Sequence, residues 1–317
     1  MNFKKMGINF LTLAFVGLFI AGCNENDPTP PGGDDMTPPT NLMASSGNTE
    51  VRLSWTASTT TGAVYEVAVD DVVVASDLTG TAYTATGLTN GTVYEFTVTA
   101  VNPDDDEDVA SASALSWAPA DRYAADGDQP AQQIRIYEKE SAKGSGLAID
   151  TRNPFNGPSN VSLAASSTDL ARAQLALFVE SDDQTFRFGP AWGFSVSDYA
   201  NRAQFDQTTV ISDDFFLVDV NTADPIKSFD NWFLDEELST FFAANRTTAY
   251  GNLTDRTDTK GYGFIIRTGN SAANYHYARV IVVPNTNGEI LQGSGDEQYV
   301  TLVVSYQNAV NVPYAKK

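Results

Sequence analysis

Among 317 residues the chain has one thiol, Cys23, and one imidazole, His276. A thiol can attack, ligate a metal or carry a lipid, and an imidazole can move protons or bind metal. A zinc site needs three or four Cys, His or carboxylate ligands at fixed spacing, which one of each does not supply. A Ser-His-Asp triad would depend entirely on His276, and the chain has no Gly-x-Ser-x-Gly elbow. It also lacks a phosphate loop ending in Lys-Ser/Thr and a dinucleotide fingerprint. The adjacent carboxylates Asp213/Asp214 and Glu236/Glu237 have the chemistry of a glycosidase pair. In a chain with 40 Asp and Glu against 19 Lys and Arg, however, composition alone produces such pairs. The expectation is a protein that is not an enzyme and holds no cofactor and no metal. Two tryptophans have binding chemistry: Trp192 in "FGPAWGF" and Trp232 in "FDNWF". A flat ring beside Asn or Asp suits sugar stacking, and the same rings also fill β-sandwich cores.

The position of the thiol assigns its chemistry. Lys4 and Lys5 precede an apolar run from Ile8 to Ile20, which is short of the ~20 residues a spanning helix needs. The run reads as a secretion signal over residues 1–22. Ile20, Ala21, Gly22 and Cys23 resemble the bacterial lipobox, and the resemblance implies a diacylglyceryl group on Cys23. Lipidation removes the hazard of an odd free thiol in an oxidising compartment. Asn24, Glu25, Asn26 and Asp27 resemble the surface-export signal of Bacteroidota lipoproteins. The implied location is the cell outer membrane, lipid-anchored and surface-exposed. Asp27 to Pro39 holds five prolines and two glycines, so residues 23–38 read as an extended tether. At ~3.1 Å per residue it reaches about 40 Å.

The formal net charge is −21, and loss of Lys4 and Lys5 makes the mature chain two units more negative. Such a chain repels phosphate backbones, so nucleic acid is not an expected partner. The membrane is reached only through the anchor.

Glycine, threonine and β-branched residues dominate, which favours strands. From residue 39 to 120, short alternating runs separated by turn residues predict a β-sandwich: "VRLSW", "YEVAVD", "DVVVASD", "TAYTATGL", "TVYEFTVTAVN" and "ASALSWAP". Pro39, Leu42, Trp55, Tyr65, Leu88 and Tyr94 in this arrangement resemble a fibronectin type III domain. The resemblance implies that Leu88 plugs the sandwich and that the Tyr94 hydroxyl ties down the neighbouring chain. Asp104 to Asp108 read as an acidic loop before the last strand, without the alternate spacing of a calcium site. There is no Arg-Gly-Asp tripeptide.

After a linker over 121–132, residues 133–317 read as a larger β-rich domain. Its expected strands include "QIRIYE", "RAQLALFVES", "TFRFG", "FFLVDV", "GYGFIIRTG", "YHYARVIVV" and "YVTLVVSYQ". A turn at Asn287-Gly288 separates the last two. One helix is expected after Asp230, with Leu234, Leu238, Phe241 and Phe242 on one face. The order of helix and three long strands is similar to the C-terminal part of HmuY-type lipoproteins, which implies haem held by two axial His or Met side chains. The sequence departs from that pattern. His276 is the only His, and all four Met residues lie before the first domain or at its edge. A His276 pairing with Tyr262, Tyr275 or Tyr277 is what remains. The fold class is therefore all-β, a fibronectin type III sandwich followed by a larger β-rich domain with one helix. The function read from it is a lipid-anchored, non-catalytic binding or adhesion module for a glycan or protein. Cys23 is the lipidation site, and Trp192, Trp232, His276 and Tyr275 are the candidate ligand-binding residues. The alternatives are a haem or porphyrin scavenger and a carbohydrate-active enzyme.

Overall fold

The structure, a computed structural model, describes residues 36–112, 114–122, 134–149, 158–164, 166–180, 186–211, 216–220, 246–247, 251–255, 260–269, 271 and 273–316. The expected signal, the tether up to residue 35 and the expected helix, together with Cys23, Asp213, Asp214, Trp232, Glu236 and Glu237, lie outside the described residues. Among those described the fold is all-β.

The first sandwich contains β1 (Thr40–Gly47), β2 (Glu50–Thr56), β3 (Val64–Val69), β4 (Val72–Leu78), β5 (Ala82–Thr86), β6 (Tyr94–Asn102), β7 (Asp105–Ser111) and β8 (Leu115–Trp117). There follow β9 (Asp121–Arg122), β10 (Ile134–Tyr137), β11 (Gly146–Ala148), β12 (Ser159–Val161), β13 (Leu175–Val179), β14 (Phe186–Pro190), β15 (Thr209–Ile211), β16 (Phe216–Asp219), β17 (Arg246–Thr247), β18 (Gly251–Leu253), β19 (Lys260–Thr268), β20 (His276–Val283), β21 (Tyr299–Gln307) and β22 (Ala315–Lys316).

The first sandwich pairs a sheet ordered β4-β3-β6-β7, with β8 also on β6, against β22-β1-β2-β5. Alternation puts Val51, Leu53 and Trp55 of β2 and Phe96, Val98 and Ala100 of β6 into one core. Burying each large side chain contributes about 1.5–3 kcal/mol. Trp55 and Tyr65 meet edge-to-face at 5.5 Å, and the Tyr65 hydroxyl accepts the Ser58 N–H at 3.0 Å. Leu88 packs half-buried against the core, and the Tyr94 hydroxyl accepts the Thr89 N–H at 3.0 Å. That bond is the tie expected of Tyr94. The acidic run differs from its reading as a loop: Asp105 onward is strand β7, and the Asp108 carboxylate accepts the Met36 N–H at 2.9 Å. Met36 itself is buried in the core.

The second sandwich faces an eight-stranded sheet, β10-β21-β20-β19-β15-β17 with β16 on β19 and β9 on β21, against β12-β11-β13-β14-β18. Its central strands β19, β20 and β21 are buried on both faces, which explains their near-continuous apolar runs. Phe264, Ile266, Val280, Val282, Leu302 and Val304 face the five-stranded sheet. Ile265, Ile281 and Val303 face the other way, onto Tyr314 and Ala120. The expected turn is present: the Gly288 N–H donates to the Asn285 carbonyl at 3.0 Å, with Gly288 at φ 84°.

That second face is where the two sandwiches meet, and a hydrogen-bond network accompanies its apolar cluster. Trp117 Nε1 donates to Ser46 Oγ at 2.9 Å, and Ser46 Oγ donates to the Ala118 carbonyl at 2.7 Å. Gln307 Nε2 reaches the same carbonyl at 3.0 Å and Ser46 Oγ at 3.2 Å, while its Oε1 accepts the Ala309 N–H at 3.0 Å. Arg279 Nη2 donates to the Ser46 carbonyl at 3.2 Å, and the guanidinium lies 4.2 Å from the Tyr314 ring centre. Ser305 Oγ donates to the Asp121 carbonyl at 2.8 Å. One hydroxyl offers one donor and two acceptor sites, so Ser46 is fully used. The end of the chain crosses this joint. Ala309 and Val312 pack into the first core, and Ala315 and Lys316 pair with Ser45 and Ala44 of β1. Gly91 is required here. Its φ is 78°, and an added Cβ would lie 2.6 Å from Asn308 Cβ.

Candidate functional site

The five-stranded sheet turns one face inward and covers the other with its own loops. On β13, Leu175 and Leu177 enter the main core, while Ala176 and Phe178 point outward. The segment after β14 folds back over them, bringing Ala191, Phe194, Tyr199 and Phe205 onto that outer face. A 3-10 turn at Ala191–Gly193 sets Trp192 at its margin. Trp192 is half-buried against this cluster. The Arg202 guanidinium lies 4.8 Å from its ring centre, and Arg202 Nε donates to the Trp192 carbonyl at 3.0 Å. One face of the ring is thus given to an arginine. The expectation of a core ring or a sugar platform resolves into something between, a marginal ring under a cation.

Next to it, Arg187 bonds Asp198 through two nitrogens, each at 3.0 Å, and Glu180 at 2.9 Å. Its guanidinium lies 4.4 Å from the Phe178 ring centre, and Lys139 Nζ lies 5.6 Å from the same ring. Burial would raise the Asp198 pKa, but the Arg187 and Ser195 hydrogen bonds outweigh it and hold the carboxyl below its ordinary value. The Tyr199 phenol is pushed up by burial, and its hydroxyl donates to the Leu177 carbonyl. Burial also raises the nearby Glu138 carboxyl. The result is a buried ring cluster, Phe194, Tyr199 and Phe205, held under a mostly buried charge pair, with Phe178 and Trp192 half-buried at its margin as the rings a ligand could reach. Sequence reasoning picked Trp192 from it and missed Phe178, Arg187, Asp198 and Arg202. The available signal was the alternation in Phe186-Arg187-Phe188, which puts a cation outward between two core rings.

The other predicted pair separates. Tyr275 immediately precedes β20, which begins at His276. His276 stacks on Tyr306 of the main core, with ring centres 5.6 Å apart and planes at 25°, and its Nδ1 is buried without a hydrogen-bond partner. Tyr275 belongs to the opposite face, where the Arg267 guanidinium lies 3.9 Å from its ring centre. The buried Tyr277 phenol is raised by desolvation, against the charge and hydrogen bond of Arg267. His276 and Tyr275 therefore do not face each other across a common space. Among the described residues no group of three or more His, Cys, Asp or Glu is placed to hold a metal ion. No helix among them is long and apolar enough to cross a membrane.

Residues 37–113 match the family model for the fibronectin type III domain. No curated protein matches the chain. Among solved structures, the central fibronectin-III array of RIM-binding protein is similar at 11% identity, over 86% of this chain and 91% of that one, with a TM-score of 0.22. The Trp55–Tyr65 contact, the Leu88 plug and the Tyr94 tie are the physical counterpart of the family match. The first sandwich is a fibronectin type III domain.

Proposed function

We propose that the chain is a non-catalytic binding or adhesion module of the cell envelope, lipid-anchored through Cys23 at the outer membrane and surface-exposed. Its ligand is a glycan or a protein. The observation that carries this reading is the joint: a fibronectin type III domain is fixed to a second sandwich by a buried hydrogen-bond network and a returning strand. A spacer that only adds reach has no need of such a joint, whereas a module that presents two faces at a set angle does. The ligand surface proposed is the ring-and-charge face around Trp192, Phe178 and Arg187.

Two measurements test it. Mass spectrometry of the mature chain should find a diacylglyceryl Cys23 as the first residue; an unmodified Cys23 with residues 1–22 attached contradicts the anchor. Glycan and protein arrays probed with the chain should return a ligand whose affinity falls about tenfold in Trp192→Ala. A ligand bound equally by Trp192→Ala and Arg187→Ala moves the site elsewhere.

A further inference from the structure

Two of the edges of the fibronectin type III sandwich have opposite fates. The β1 edge is covered by the chain's own Ala315–Lys316 strand. The β4 edge has no neighbour among the described strands, and there Val72, Val73 and Val74 are 64%, 53% and 44% exposed. An open edge carrying consecutive β-branched residues is a template for another strand. Natural edges are usually guarded by lysine or proline. This one is guarded by carboxylates instead: Asp70 and Asp71 at one end and Asp77 at the other.

The backbone is set for pairing at the turn end of β4; beyond Val73 two register shifts interrupt the ladder, and the Val74 carbonyl accepts the Tyr83 hydroxyl at 3.4 Å. Asp70 and Asp71 have φ of 48° and 63°, the two-residue turn whose twist matches a hairpin. The Asp70 carboxylate accepts the Glu95 N–H at 2.8 Å, which fixes the turn against β6. The turn closes on the Val69–Val72 pair. Alternation along the ladder then turns the N–H and C=O of Val73 outward.

Charge selects the occupant. Between Met36 and Ala120 there are eleven Asp and Glu and one cation, Arg52, and Arg52 is paired with Glu50 at 2.9 Å. A second copy of so acidic a domain is repelled, and so is any acidic strand. The edge already filled shows that the domain accepts a short extended segment, Ala315–Lys316.

We propose that β4 is a strand-addition site for an extended polypeptide segment with a β-branched centre and Lys or Arg at its ends. Backbone bonds to Val73 supply the pairing, the valine side chains supply apolar contact, and Asp70, Asp71 and Asp77 select the cationic ends. The site lies in a different sandwich from Trp192, so either can fail while the other stands.

The test uses fluorescence anisotropy of the full chain with a labelled ten-residue peptide of alternating Val and Thr carrying two Lys at each end. A version with Glu ends is the control. The Lys-ended peptide should bind and weaken as salt is raised, and the Glu-ended one should bind at least about tenfold less tightly. Val73→Pro removes the outward N–H where an edge strand tolerates proline, and should weaken binding about tenfold. Val73→Lys keeps the N–H and the strand but adds a repelling cation, and should weaken it as well, so a folding defect in one variant leaves the other decisive. Absent binding, equal affinity for both peptides, or affinity unchanged in both variants overturns the proposal. So does sedimentation showing that the chain dimerises through this edge and that Val73→Pro abolishes the dimer.

Discussion

From Met36 to Ala120 the fibronectin type III sandwich has eleven acidic residues and one basic one. From residue 123 to 317 the second sandwich has twenty-four acidic and fifteen basic residues. The second uses its cations as covers for rings: Arg187 on Phe178, Arg202 on Trp192, Arg267 on Tyr275 and Arg135 on Tyr299. The first has no cation to spare, ties its rings through neutral bonds such as Tyr94 to Thr89, and leaves its surface negative. Similar strand architecture thus yields two surfaces of different chemistry. The cation that crosses between them, Arg279, is buried at their joint against Ser46 and Tyr314. Two dissimilar faces matter to a ligand only if their mutual orientation is fixed, and the joint fixes it.

Replacing Tyr314 with Ala should break the comparison most strongly. The side chain is wholly buried, and truncating a large buried aromatic ring costs about 3–5 kcal/mol. Calorimetry should then resolve two transitions, one per sandwich, in place of one. Gln307→Leu removes the acceptor of the buried Ala309 N–H, along with one of the donors to Ser46 and to the Ala118 carbonyl, at a cost of about 1–3 kcal/mol in urea unfolding. Tyr94→Phe loses one bond inside the first sandwich, at about 1 kcal/mol, and should leave the Trp192 face unchanged by tryptophan fluorescence.

The smallest effect concerns acid. The Asp198 carboxyl has a folded pKa below its ordinary 3.8, so it stabilises the fold above that value. The contribution is lost as pH falls through the lowered folded value. Asp198→Asn should therefore be less stable at pH 7 and lose less between pH 4 and pH 2, by urea titration at each pH. Equal acid sensitivity in the two proteins would mean that the Arg187 pair does not stabilise the fold in this way.

The fibronectin type III sandwich was legible because its landmarks are local and of rare type. Trp55, Tyr65 and Tyr94 sit on short alternating strands and Leu88 in the connection between β5 and β6, and each packs in or against the first core. The strands β19 to β21 were legible from long apolar runs. The return of the chain end onto β1 was not, because Ala315–Lys316 is too short to show a period, and its pairing with Ala44 and Ser45 spans most of the sequence. The same limit hid the joint. Ser46, Arg279 and Gln307 look like ordinary polar strand residues until tertiary structure puts them together. At the candidate site, Trp192 was visible as a ring near glycines, whereas the Arg187–Asp198 pair depends on a loop folding back across a sheet. Of the tyrosines weighed against His276, Tyr275 and Tyr277 lie in the cluster on the opposite face of the sheet from Tyr306, on which His276 stacks.

The central claim is that the two sandwiches move as one body. Backbone 15N relaxation on the chain lacking residues 1–22 measures this directly. A single overall tumbling time for residues 40–111 and for β19 to β21 is the result expected. A distinctly shorter tumbling time for the fibronectin type III sandwich would mean that the joint opens in solution, and would contradict the account.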